Sequence, residues 1–351
     1  MDASESACPG PEGQDRMSRP GGHSRPALDD RPILDDIAIM PFASALQTIL
    51  GLCLFETISS IDNAIINAEI LAGMGRKSRK WFLTWGILLA VLAVRGLLPW
   101  LIVWGVVPGI GPVAAFMAAF SGDPFVREAV ETAKPALLAA GGVFLLLLFL
   151  HWLFREPKAF GLPGERFFLG QGRWFYAAAF LLIGALLWLA SESGVRQAFA
   201  VTLGSTAFFI ARGLKRKAER QESRLLDSAM SDISKLLYLE VIDLTFSLDG
   251  VLGAFAFTLS VPIILVGNGL GAVIVRRITV GNIERIKRDR FLKNGAMYSI
   301  LALGAVMTCG AFGLPLPEWL SPLATFLIVG FFLARSLTDA GGAGDRGAER
   351  P

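Results

Sequence analysis

Two stretches of this chain, Phe55 to Ala68 (FETISSIDNAIINA) and Glu240 to Ala254 (EVIDLTFSLDGVLGA), place carboxylates near the middle of apolar runs long enough to cross a bilayer. Ionisable groups at that depth are costly, and where they persist they mark functional positions. Laid in register, Glu56 falls on Asp243, Ser60 on Ser247, Ile61 on Leu248, Asp62 on Asp249 and Asn63 on Gly250. A single intramembrane Asp reads as a packed, protonated structural residue. Two matching clusters point instead to the binding site of a transporter built from an internal repeat.

The rest of the sequence agrees with a polytopic membrane protein. Of its 351 residues 53% are hydrophobic and only 18% charged, with a mean hydropathy of +0.55, outside the range of an ordinary soluble domain. The net charge of +3 comes with no basic patch interleaved with aromatics, so nucleic acid is not an expected partner. Cys8, Cys53 and Cys309 are single, without ligand spacing, which argues against a thiol relay or zinc site.

The apolar runs predict an all-α fold of about nine transmembrane helices: residues 42–72, 81–107, 135–154, 174–189, 198–210, 236–259, 262–275, 295–312 and 319–333. A disordered acidic tail is expected over 1–41 and another tail over 337–351. The membrane domain, 42–336, divides into a first half (42–211), a charged link (212–235) and a second half (236–336). Lys and Arg alternate across the loops. Residues 76–80, 155–173, 212–235 and 276–293 are rich in them, whereas the opposite loops hold only Arg127, Lys134 and Arg196. The positive-inside rule then puts the amino terminus outside and the carboxyl terminus in the cytoplasm, in a bacterial inner membrane. The first and sixth spans run in opposite directions, so the repeat is inverted.

On an unbroken helix Glu56 and Asp62 point roughly 120° apart, as do Asp243 and Asp249, and neither pair can face one small ligand. Local unwinding around Ser60 to Asn63 and around Leu248 to Gly250 is therefore expected, in protein-covered backbone. The candidate metal ligands are Glu56, Asp62, Asp243 and Asp249, with Ser60, Asn63, Glu240, Ser247 and the buried Asn268 in support. An all-oxygen set suits hard divalent ions. No tightly bound cofactor is expected; a divalent cation is the expected substrate. Arg95, in the second span, needs an anion. It is either a structural ion pair or a counter-charge displaced by the cation, and both readings stay open. Repulsion among the acids favours proton uptake when the ion leaves, which would couple export to protons.

These residues resemble the TerC family of membrane proteins, in the wider LysE-like transporter superfamily, and most closely its domain-of-unknown-function branch. The likeness rests on Glu56, Ser59, Asp62, Asn63 and Ala64, on FLTWGILLAVLAVRGLLPWLIVW at Phe82 to Trp104, and on EVIDLTFSLDGVLGAFAFT at Glu240 to Thr258. It spans roughly Gln47 to Arg335. It implies manganese export and a link to tellurium resistance; four buried carboxylates fit a cation, not an oxyanion. One departure stands out. Where an acid followed by histidines is expected, the chain reads FLKNGAMYSI, with Lys293, Asn294 and Met297. Two other classes of function remain open: a small-solute or amino-acid exporter, and a non-transporting scaffold or stress-response protein whose charges merely lock helices. No nucleophile and base pair is evident, so an enzyme is not expected.

Overall fold

A computed structural model describes residues 42–60, 71, 74–86, 97, 100–101, 104, 111–121, 124–227, 231–281, 291–314, 316–317 and 319–347. Within the helices it leaves the side chains at 83, 118–121, 124, 126–127, 218–227, 238, 240–249, 278–281 and 339–347 undescribed. The described residues are predominantly helical, with no strand among them. In chain order they form α1 (Phe42–Ser59), α2 (Arg76–Trp81, continuing as one wide turn over Phe82–Gly86), α3 (Pro112–Ser121) and α4 (Pro124–Arg155). Then come α5 (Glu165–Gly170), α6 (Phe175–Ser193), α7 (Val195–Asp227), α8 (Asp232–Ala254), α9 (Val261–Gly281), α10 (Leu292–Ala311) and α11 (Leu320–Gly347).

Five stretches among the described residues are long and apolar enough to cross a membrane: Phe42–Ser59, Glu128–Arg155, Gly172–Ser193, Leu292–Ala311 and Leu320–Thr338. α4 is the central one. Its Val143, Leu145, Leu147 and Trp152 are fully enclosed, whereas α6 turns Phe180, Leu181 and Trp188 outward, as a helix facing lipid must. Lipid offers no hydrophobic drive between such helices, so they associate through close packing at small residues. A Cβ at Gly142 would lie 2.6 Å from Thr308 Oγ1 and 3.0 Å from the Thr308 nitrogen, and one at Gly304 about 3.1 Å from Leu146, so α4 and α10 touch nearly backbone to backbone. α7 joins α4 in the same way at Gly204, which meets Ala140 and Val143.

Several elements differ from the sequence expectation. The third span, expected from residue 135, begins at Pro124 and runs through Pro135 as one helix. The fifth span continues without a break into the charged link, to Asp227. The last helix reaches Gly347, beyond the expected end of the span. Most important, α8 is a regular helix from Asp232 to Ala254, so the unwinding expected at Leu248 to Gly250 does not occur. Glycine at 250 supplies close approach directly, and the helix has no need to open. The first break is different: α1 ends at Ser59, Ser60 sits in a turn, and residues 61–70 lie outside the described residues.

Candidate functional site

Three helices meet at Glu56. Its side chain is 1% exposed, and the Ser60 hydroxyl donates to Oε1 at 2.8 Å, one turn along the chain. Ser59, half-buried, donates to the Glu56 carbonyl at 3.3 Å. Across from α1, a Cβ at Gly250 would lie 2.6 Å from Glu56 Oε2 and 3.9 Å from Ser59 Oγ. On the other side, a Cβ at Gly271 would lie 2.6 Å from Glu56 Cβ and 2.8 Å from the Cys53 carbonyl oxygen, and one at Gly267 2.6 Å from Leu52 Cβ. The glycine of LDG in α8 is thus the surface against which the Glu56 carboxylate is pressed, while Gly271 in α9 takes the stem of the same side chain. Only glycine leaves room for it.

The contacts also fix direction. Gly250 meets Glu56 and Ser59 while Gly253 meets Phe55, so α8 runs antiparallel to α1; Gly267 meets Leu52 and Gly271 meets Glu56, so α9 runs parallel to it. Positions 243 and 250, seven apart on a regular helix, share the face turned toward α1, and position 249 lies about 100° away. The spread between Asp243 and Asp249 along the helix therefore persists and is not relieved by unwinding.

Of the other sequence-predicted residues, Asn268 is 0% exposed, and neither atom of its amide has a hydrogen-bond partner among the described residues. Asp62, Asn63 and Arg95 lie outside the described residues. Glu240, Asp243, Ser247 and Asp249 belong to α8, but their side chains are not described. Among the described residues no group of three or more His, Cys, Asp and Glu comes together.

A second polar cluster, which sequence reasoning missed, closes one end of the bundle. Glu165, in the loop read as merely basic, is 1% exposed. Its carboxylate accepts from the Gly161 N–H (2.8 Å), from Asn294 Nδ2 (3.1 and 3.0 Å) and from the Tyr298 hydroxyl (3.1 Å). Asn294, which stands where an acid followed by histidines was expected, thus has an acid supplied from another part of the chain. Lys293, another departure, approaches Glu156 Oε2 at 3.4 Å. Glu156 also takes Arg212 at 3.3 Å and His151 Nδ1 at 3.4 Å, and Arg212 reaches His151 Nε2 at 3.0 Å. Burial alone would push the Glu156 carboxyl up; His151 and the charges of Lys293, Lys215 and Arg212 overcome it and hold the group well below the usual range. Lys158 donates to the carbonyls of Trp152 (2.7 Å) and Leu153 (2.8 Å) and lies 3.8 Å from the centre of the Trp152 ring. Burial lowers its amine to about 8, against the pull of Glu165 and Glu156.

These contacts belong to a larger pattern. Asp232, from the link, accepts from the Gly75 N–H (3.1 Å) and the Ser78 hydroxyl (2.8 Å), which hold its carboxyl low. Arg276 donates to the Phe82 carbonyl at 2.7 Å and covers that ring at 4.2 Å. With Glu156 bridging Arg212 and Lys293, all four Lys/Arg-rich segments touch in a closed circuit at one end of the bundle.

Apolar helices joined at glycines, with their basic loops gathered at one end, define a helical membrane protein. A family described as a protein of unknown function (DUF475) matches residues 61–340, and the chain belongs to that family. No curated protein and no solved structure matches it.

Proposed function

We propose that this protein is a transporter of a hard divalent cation, manganese first and calcium next, working as an exporter from the cytoplasm. The observation that carries the reading is the meeting of the two acidic motifs: the Glu56 carboxylate is pressed against Gly250, the residue after Asp249, in the interior of an apolar bundle. A buried carboxylate beside a second acidic segment is expensive unless a cation or a proton compensates it. In this reading Glu56 and Asp243 approach the ion from facing helices with Asp62 beside them, and Asp249, about 100° around α8, meets the ion at another point along its path. Ser59, Ser60 and Ser247 orient the acids, Glu240 adds charge along α8, and Arg95 balances the ion-free site.

The antiparallel course of α1 and α8 supports an inverted repeat, and with nine spans it supports alternating access to a site between the two halves. The circuit of basic loops supports a cytoplasmic face at that end, with the start of α1 outside, in a bacterial inner membrane. Release of the ion is coupled to proton uptake by the acids. The TerC resemblance favours the same substrate and makes any tellurium resistance an indirect effect of metal handling.

Reconstitution in lipid vesicles tests the reading. Mn2+ flux is expected for the wild-type chain, to respond to an imposed pH gradient, and to be abolished in Asp62→Asn, Asp249→Asn and Glu56→Gln. Wild-type flux in all three variants removes the cation site, and flux indifferent to the pH gradient removes the proton coupling.

A further inference from the structure

We propose that Asn268 is a direct ligand of the transported cation, its side-chain carbonyl adding a neutral oxygen to the acids around Glu56. The inference rests on the cation reading above and moves Asn268 from a supporting position to a ligand of that site. Buried amides nearly always find partners, because an unpaired one forfeits its hydration without return. Asn268 is fully enclosed, yet both ends of its amide go without a partner among the described residues.

Its place on α9 says what the amide faces. Gly267 and Gly271 abut α1 at Leu52 and Glu56, and Arg276 reaches across to the Phe82 carbonyl. At about 100° per residue, Asn268 falls on the arc between those two contacts and within one turn of Gly271. The lipid side of the helix is elsewhere, marked by the exposed Val266, Leu270, Val273 and Ile274. The amide therefore projects into the interior beside the junction where Glu56 is held. An amide oxygen is a hard, neutral donor, well suited to manganese or calcium. It adds a ligand without another negative charge, which matters where several acids already repel one another.

The test uses the full chain in detergent, its melting temperature followed as MnCl2 is added, with Asn268→Leu and Asn268→Asp beside the wild type. Leu has nearly the shape of Asn and removes the unpaired amide, so the metal-free melting temperature should stay level or rise. The concentration of Mn2+ giving half the upward shift should increase at least tenfold. Asp keeps the oxygen and adds charge, so its metal-free form should melt lower and recover more on adding Mn2+.

An Asn268→Leu chain with the wild-type Mn2+ dependence overturns the inference while leaving the cation reading intact, and means that the amide holds only a water. Loss of fold in both variants overturns it too, since an unpaired amide contributes nothing to the metal-free fold. Absence of any Mn2+ or Ca2+ shift in the wild type is a different failure, and it removes the cation site itself.

Discussion

Replacing Gly250 by Ala separates the site from the fold, because the atom it meets is the tip of a side chain and not backbone. The added methyl would sit 2.6 Å from Glu56 Oε2, so the carboxylate must retreat by about 0.8 Å to reach ordinary van der Waals contact at 3.4 Å. Crowding of this kind costs roughly 1–3 kcal/mol, and removing glycine from a helix interior returns about 1 kcal/mol. The net loss of stability is therefore at most about 2 kcal/mol, small enough for the variant to fold. For the ion the same shift is decisive. Hard cations hold oxygens at about 2.0–2.6 Å, and a ligand displaced by most of an ångström no longer coordinates. Gly250→Ala is expected to weaken Mn2+ binding at least tenfold and to slow vesicle flux in proportion, while size-exclusion profile and helicity stay those of the wild type. Gly184→Ala is the control, since nothing lies within 4 Å of its Cβ; it should match the wild type in both assays. Gly271→Ala marks the other extreme. Its methyl meets the Cys53 carbonyl at 2.8 Å, and α1 and α9 must separate, so the fold itself should suffer. A folded Gly250→Ala protein with unchanged Mn2+ affinity would refute the idea that Glu56 contacts the ion.

Other expectations concern the closed end of the bundle. Glu165→Ala strips three groups of a charged acceptor at once, and with about 1.5–3 kcal/mol for each such hydrogen bond it should destabilise the fold by several kcal/mol; a thermal-melt change under 1 kcal/mol would contradict this. Lys158 has a folded amine near 8 against an ordinary 10.5, so between those values the unfolded chain holds the extra proton. Stability should then rise with pH from about 8 to about 10.5, and the rise should be missing in Lys158→Met melts over the same range. Glu156 has the same sign in a lower window: its depressed carboxyl adds stability that is fully present above the ordinary value of 4.5 and is lost as pH falls below it, so the melting penalty of Glu156→Gln should be constant between pH 6 and 8. Single cysteines at Ser78, Asp232 and Lys293, in a background without Cys8, Cys53 and Cys309, should react with an impermeant thiol reagent from one side of the membrane, and one at Lys134 from the other. Labelling of Lys134 and Ser78 from the same side would break the topology.

What could be read from the sequence follows the distance over which each signal acts. Apolar runs and charge alternation are local, and they anticipated the five described stretches that are long and apolar enough to cross a membrane; the four Lys/Arg-rich loops, recognised one at a time, are linked in the structure through Asp232, Glu156 and Arg212. The repeat singled out the Glu56 and LDG segments as two clusters, but its register set Glu56 against Asp243 and Asn63 against Gly250, so the contact of Glu56 with Gly250 was not legible in it. Nor was Glu165. In EPKAFGLPGER it is one acid among basic residues, which reads as solvated, and its partners Asn294 and Tyr298 are about 130 positions away with no motif to link them. Seen from Glu165, the absence of the acid expected near residue 293 changes its meaning: a carboxylate is present, delivered by a loop that folds back onto α10, and Asn294 donates to it. The unwinding expected in α8 failed for a related reason. It was inferred from the directions of Asp243 and Asp249 alone, whereas the structure uses glycines on two other helix faces to bring backbone and carboxylate together. If ions do bind at Glu56, the regular α8 then requires Asp243 and Asp249 to act at different points along the path, one on the face of Gly250 and the other about 100° around the helix. Asp243→Asn and Asp249→Asn should accordingly differ in kind, the first raising the Mn2+ concentration for half-maximal flux and the second lowering the maximal rate. Identical losses in both parameters would return the two acids to a single shell and bring back the need for a broken helix.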